Sequence, residues 1–334
     1  MDLNPGQDRQ EENQQGSTPA EVIVYPPKYI KDDQRNNILL RSLTSLAIYL
    51  ALGYYIFRRW EILLLITGVV IIHEMGHFLA MKAFRYKDLG IFFIPLLGAY
   101  VSGTKREVSQ RESAIILLAG PLPGIIIGVV IYMLGERNIL LGIGDTSYYT
   151  ISMFFVILNL FNLLPVYPLD GGQLLNRVFF NEENWLSRIF IFLSIGLLAW
   201  FAWKSDFPVL YVFPAMMLIR LFADSRTTSI EHKVEEAGIN TDIDYDELPD
   251  QDYWKIRDII VQENPSFKNE TAGPPYAFSS REEKIMPAVQ GLLHRHLIQD
   301  ISVPGKLLVL AIWIGALASP WLADMDLYFL KRFF

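Results

Sequence analysis

Cysteine is absent from the 334 residues, which excludes disulfides, thiolate metal sites and a cysteine nucleophile. Histidine is scarce: there are five, at positions 73, 77, 232, 294 and 296, so any imidazole metal site has few candidates. Charge is thin as well, at 19 % of residues, and the net charge of −7 argues against nucleic acid as a partner. Residues 1–37 hold no apolar run of signal-peptide length and lack the basic, Ser-rich character of an organelle transit peptide. No repeat of fixed period runs through the chain. What the sequence has in quantity is hydrophobic residues, 51 % of the total, with 16 Tyr and 7 Trp. That is the composition of a polytopic membrane protein rather than of a two-domain soluble enzyme.

Hydropathy divides the chain. A polar, disordered N-terminal tail is expected over 1–37, with Glu21–Tyr25 as its one candidate ordered piece. A membrane domain follows over 38–222, a small acidic and mainly helical segment over 223–302, and a final span with a short tail over 303–334. Spans are predicted at about 38–57, 60–84, 113–134, 148–166, 189–203, 207–222 and 306–323, seven in all. The run Leu89–Gly103 is apolar but broken by Pro95 and Gly98, and predicts two short extended pieces around a turn. Residues 224–300 carry sixteen acidic and eight basic residues, with helices expected at 252–263 and 281–299. The loop of roughly 82–111 carries Lys82, Arg85, Lys87, Lys105, Arg106 and Arg111, whereas the loop after the third span has only Arg137. The positive-inside rule therefore predicts the first loop, and the N-terminus, on the cytoplasmic side.

Inside the second predicted span stands His73-Glu74-Met75-Gly76-His77. On a helix the two histidines lie one turn apart on one face, and both can reach one Zn²⁺. Glu74 can take a proton from a water activated there. An ionisable group in a hydrocarbon-buried helix costs about 3 kcal/mol or more, so three of them without a job are improbable. If the helix starts near Glu61, His73 lies ~18 Å along it, at membrane depth. Catalytic zinc takes three protein ligands and an open position. The candidate for the third is Asp170, in Pro168-Leu169-Asp170-Gly171-Gly172 at the end of a long uncharged stretch, where two prolines and Gly-Gly place it on irregular backbone. His294-Arg295-His296 reads as an exposed polar stretch, because i, i+2 positions on a helix face apart.

The pair of motifs, His73–His77 in one span and Asn162-Leu163-Leu164-Pro165-Val166-Tyr167-Pro168-Leu169-Asp170-Gly171 ending a later one, resembles the site-2 protease family of intramembrane zinc metalloproteases. The likeness covers about residues 60–180. It implies an all-α polytopic membrane protein of about seven transmembrane helices around a three-helix metalloprotease core, with a short membrane-re-entrant β-hairpin at Gly90–Gly103. It implies one Zn²⁺ per chain held by His73, His77 and Asp170, with Glu74 as catalytic base and then acid, and Asn162 as a substrate-binding residue near the scissile bond. The implied substrate is a transmembrane protein cut within or near its span, with the active site toward the cytoplasm, and a bacterial inner membrane is the expected home. The 223–302 segment is a candidate docking place for a cytoplasmic partner. One departure stands out: many members have Asn after the Gly-Pro of the second core span, where this chain has Pro123-Gly124. Two other readings stay open on the residues alone. One is a non-catalytic transporter or metal carrier using the same ligands, and the other an adaptor whose business is the soluble segment.

Overall fold

The computed structural model describes residues 24–30, 37–95, 98–105, 108–140, 142–144, 146–180, 185–205, 208–293 and 297–325. Helix α1 (Ile38–Phe57) ends where Arg58 turns into the left-handed region, and α2 (Trp60–Ala83) follows almost at once. Glu61 in the first turn of α2 and Lys82 in its last both complement the helix dipole. The predicted extended pieces are a two-stranded antiparallel hairpin, β1 (Lys87–Ile94) and β2 (Gly98–Thr104), with Ile91 opposite Val101 and Phe93 opposite Ala99. It leans on α1: the Phe93 N–H donates to Ser45 Oγ (3.1 Å), and the Tyr49 and Phe93 rings lie 5.7 Å apart.

After the two-residue strand β3 (Val108–Ser109), the predicted third span is two abutting helices, α3 (Gln110–Ala119) and α4 (Pro121–Glu136). The break at Gly120 is where Pro121 and Pro123 withdraw backbone donors. Ser109 caps α3 by accepting the Glu112 N–H. A small hairpin, β4 (Gly142–Ile143) and β5 (Thr146–Ser147), leads into α5 (Tyr148–Asn162), which packs antiparallel along α4. The close approach of these two helices rests on missing side chains. A Cβ at Gly128 would sit 2.6 Å from Val156, and Ser152 Oγ donates to the Gly128 carbonyl at 2.8 Å.

Asp170 departs from expectation. It is not on irregular backbone but opens a short helix, α6 (Asp170–Leu174), which continues as a π-turn through Phe180. The prolines end α5, Leu169 is extended, and the chain re-enters helix at Asp170, packed so closely that a Cβ at Gly171 would meet the Leu163 carbonyl at 2.0 Å. Helix α7 (Trp185–Lys204) then precedes α8 (Val212–Glu236), whose first part is apolar and whose C-terminal part enters the acidic segment.

That segment folds around its own apolar core. Ile230 and Val234 of α8, Tyr253, Trp254 and Ile260 of α9 (Asp250–Glu263), and Ile285 and Val289 of α10 (Glu282–Leu292) are all buried in it. Helix α10 stops at Leu292, short of the expected 299; the following described residues form strand β6 (Leu297–Ile298), which pairs in parallel with β3. His294 and His296 lie outside the described residues. Residues 24–30, read from the sequence as part of the disordered tail, run as a strap across this unit. Lys28 N–H donates to Asp250, its Nζ to the Asp246 and Leu248 carbonyls, and Trp254 Nε1 donates to the Pro26 carbonyl at 2.7 Å. Helix α11 (Val303–Leu322) returns to the apolar part, where Trp313 Nε1 donates to the Leu163 carbonyl.

Among the described residues, five helical stretches are long and apolar enough to cross a membrane: α1, α2, the α3–α4 pair, α7 and α11. Helix α5 is apolar but only 15 residues long. Their outward faces carry Leu43, Leu193, Trp200, Leu307 and Leu322 exposed, while His73, Glu74, Asn159 and Asp170 are buried. This inversion of the usual soluble pattern is that of a multi-pass membrane protein.

Candidate metal centre

The side chains that the sequence singled out do converge. His73 Nε2 and His77 Nε2 are 3.1 Å apart, as their i, i+4 spacing on α2 requires. Asp170 Oδ2 lies 3.1 Å from the first and 3.3 Å from the second. All three residues are buried.

The proton positions follow from the far side of each ring. His77 Nδ1 is 2.8 Å from the backbone carbonyl of Ile116 in α3, and a carbonyl only accepts, so Nδ1 carries the proton. His73 Nδ1 is 2.8 Å from Asn159 Oδ1 in α5. The amide of Asn159 is oriented by its own Nδ2, which donates to the Phe155 carbonyl at 2.7 Å. Its oxygen therefore faces His73, and that Nδ1 also carries the proton. In the neutral form of each ring, Nε2 therefore presents its lone pair toward the other ring and toward a carboxylate oxygen. Asp170 Oδ2 has two histidine nitrogens at ion-pair distance and no hydrogen-bond partner of good geometry.

Such a trio fits a cation. Donors bound at ~2.0–2.1 Å to a tetrahedral Zn²⁺ stand roughly 3.3–3.4 Å apart, close to the 3.1–3.3 Å found. Nitrogen, nitrogen and carboxylate oxygen are the donor set of catalytic rather than structural zinc. The cradle also excludes bulk: a Cβ at Gly120 would lie 2.3 Å from His77 Nε2.

The centre opens on a cavity of about 590 Å³, walled by Glu74, Asn162, Gln173 and Arg177 and by Ala99, Tyr100 and Val101 of β2. A smaller cavity of about 90 Å³ adjoins it between Val69, Val70, Gly98, Leu158 and Asn162. Asn162 thus stands on the wall of both, its Nδ2 donating to the Leu158 carbonyl (3.2 Å). Among the described residues β2 pairs with β1 alone, and its residues Ala99 to Val101 line the cavity.

Residues 61–144 match Peptidase family M50. The resemblance to site-2 proteases is thereby borne out for the segment bearing His73, Glu74 and His77; Asp170 lies beyond the matched residues. Among curated proteins the chain is similar to a zinc metalloprotease of Methanocaldococcus jannaschii, 29 % identical over 138 residues that make up 41 % of this chain and 40 % of that one. It is also similar to stage IV sporulation protein FB of Bacillus subtilis, 31 % identical over 119 residues, 35 % of this chain and 40 % of the relative. The chain spans about two fifths of the length of these relatives. Among solved structures, the site-2 protease from Methanocaldococcus jannaschii superposes with a TM-score of 0.39 at 24 % identity, over 53 % of this chain and 84 % of that one.

Asn159 is the residue that the sequence reading passed over. A signal was there: between Thr146 and Leu169 no side chain is charged, and α5 holds two amides, at 159 and 162. A buried amide in so apolar a helix must find a partner.

Proposed function

We propose that this chain is an intramembrane zinc endopeptidase of the site-2 type, which hydrolyses a peptide bond within or near a transmembrane segment of a membrane-protein substrate as a step of regulated proteolysis. The observation that carries the reading is the convergence of two imidazole nitrogens and a carboxylate oxygen, all within 3.3 Å of one another, beside a glutamate on a cavity wall. His73, His77 and Asp170 hold the ion, one per chain. Bound there, Zn²⁺ supplies Lewis acidity that polarises the scissile carbonyl and makes water a nucleophile at neutral pH. Glu74 takes the proton from that water and later gives it to the leaving amine. Asn162 binds the substrate backbone near the scissile bond. A helical substrate must unwind first, because its carbonyls are otherwise spent in hydrogen bonds. The free edge of β2, in a hairpin that we read as membrane-re-entrant, pairs with the unwound strand.

Seven crossings fit best. Residues 30 and 37 are separated by at most ~25 Å of extended chain, less than the ~30 Å hydrocarbon core. The strap on the soluble unit thus supports having the start of α1 and the end of α8 on one side. Counting α1, α2, α3–α4, α5, α7 and α8 as six crossings meets that condition, and α11 is the seventh. The basic residues Lys82, Arg85, Lys87, Lys105 and Arg111 favour that side as cytoplasmic, in a bacterial inner membrane. The 223–302 unit then lies in the cytoplasm, where a partner can dock.

Co-expression of wild type and Glu74→Gln with a panel of single-span membrane proteins tests the reading. A shortened fragment with wild type, none with the variant, and equal zinc in both is the expected result. Fragments from both, or from neither across the panel while zinc stays bound, would favour a non-catalytic metal carrier.

A further inference from the structure

Two observations meet at one point on α5. Asn159 is fully buried, and its amide is used at both ends, with Nδ2 on the Phe155 carbonyl and Oδ1 on His73 Nδ1. Opposite it on α4, a Cβ at Gly124 would fall 2.1 Å from Asn159 Nδ2, 2.6 Å from its Cγ and 2.8 Å from its Oδ1. The space for the amide exists only because position 124 has no side chain.

We infer that Asn159 is the positioning residue of the metal centre, fixing the proton of His73 on Nδ1 so that Nε2 faces the ion, and that Gly124 is its obligatory complement across the α4–α5 interface. The inference rests on the zinc reading above and reaches past it to a specific division of labour. His77 takes its orientation from a backbone carbonyl, which no substitution removes. His73 takes its orientation from a side chain, so the centre is tunable at one ligand and fixed at the other. A side-chain partner on the far nitrogen sets both tautomer and ring angle, and losing such a partner costs about 10–100-fold in metal affinity.

The geometry offers an exchange test. Because the Cβ built at 124 lies 2.8 Å from the present Asn159 Oδ1, an asparagine at 124 can bring its own amide to the same place once 159 is shortened. The full-length protein in detergent is titrated with Zn²⁺ against a competing chelator, and with Co²⁺ to record the ligand-field spectrum. Asn159→Ala is expected to weaken Zn²⁺ binding by about 10–100-fold and to alter the Co²⁺ spectrum. Gly124→Asn alone is expected to do at least as much harm through the clash. The double variant Gly124→Asn/Asn159→Ala is expected to recover most of the affinity and the wild-type spectrum. Should Asn159→Ala fail to fold, Asn159→Asp keeps an acceptor for His73 Nδ1 and is expected to stay within a few-fold of wild type, against the roughly 10–100-fold of a lost partner. Wild-type Zn²⁺ affinity in a folded Asn159→Ala, or a folded Asn159→Asp whose affinity falls by the full roughly 10–100-fold of a lost partner, overturns the inference. A wild type that binds zinc but cleaves nothing would sink the proposed activity and leave this inference standing.

Discussion

The molecule buries ionisable groups twice, and the two clusters are built on opposite principles. In the 223–302 segment, Arg257 and Glu282 are each 1 % exposed and face one another through Nε–Oε1 (2.9 Å) and Nη2–Oε2 (3.2 Å). Further bonds tie the pair in: Arg257 Nη1 donates to the Thr271 carbonyl, and the Tyr253 hydroxyl and the Ser279 N–H donate to Glu282. The guanidinium also sits 5.0 Å from the Trp254 ring. Burial, and then the hydrogen bond to Glu282, push the Tyr253 phenol far above its ordinary value, so it remains a donor. In the apolar part, His73 Nε2, His77 Nε2 and Asp170 Oδ2 converge within 3.3 Å, and the carboxylate oxygen has no hydrogen-bond partner. A closed cluster meets its charges within the fold and is costly only when one partner is removed; a convergence of metal-ligand atoms leaves room for an ion from outside.

Substitutions can break that contrast. The largest effect is expected from Asp170→Ala, which removes a donor outright and should lower zinc content by more than the about 10–100-fold of an outer partner, as metal analysis of the purified protein would show. Next, Glu282→Ala leaves Arg257 buried and unpaired, at a cost of about 3–5 kcal/mol. Protease susceptibility of residues 230–293 should rise sharply while zinc content stays at the wild-type level. If zinc is lost as well, the two clusters are not independent. Replacing both partners, Arg257→Met with Glu282→Leu, should destabilise much less than Glu282→Ala alone, since an apolar pair needs no counter-charge. Removing residues 1–30 should cost a further about 1–3 kcal/mol through the ring pairs Tyr25–Tyr276 and Tyr29–Phe278, read as faster amide exchange in α9.

The smallest effect concerns a contact beside the β3–β6 pairing, where the two regions meet. Asp300 accepts from Ser109 Oγ (2.6 Å) and from the Arg111 N–H at the start of α3. Burial alone would raise its carboxyl, but the Ser109 and Arg111 bonds outweigh this and hold it below the ordinary carboxylate value. A depressed folded-state pKa contributes stability above about pH 4, lost as pH falls through the folded value. Asp300→Asn should therefore flatten the acid limb of amide protection at the start of α3, and an unchanged limb would show that the contact is not coupled to folding.

Much of the apolar part was legible because hydropathy is a local property. The ends of α1 and α2 fall within a residue of expectation, since Arg58 and Arg59 interrupt the run between them. The hairpin was legible from Pro95 and Gly98. The parallel pairing of β3 with β6 was not, since two-residue strands so far apart in the chain leave no periodicity to detect. Nor was the strap over Trp254, whose residues look like a polar tail until their ring partners are seen. The departure at Pro123-Gly124 also acquires a physical sense, because the vacancy at 124 is filled by Asn159.

By itself the sequence determined which segments avoid water and which residues could bind a metal, because both depend on side chains a few positions apart along one helix. Tertiary structure alone decided that Asp170 starts a helix, that its carboxylate meets both imidazoles, and which atoms hold the far nitrogens of those rings. Those outcomes depend on backbones approaching from α3, α5 and α6, and such an approach is set by packing over the whole molecule rather than by any local run of residues.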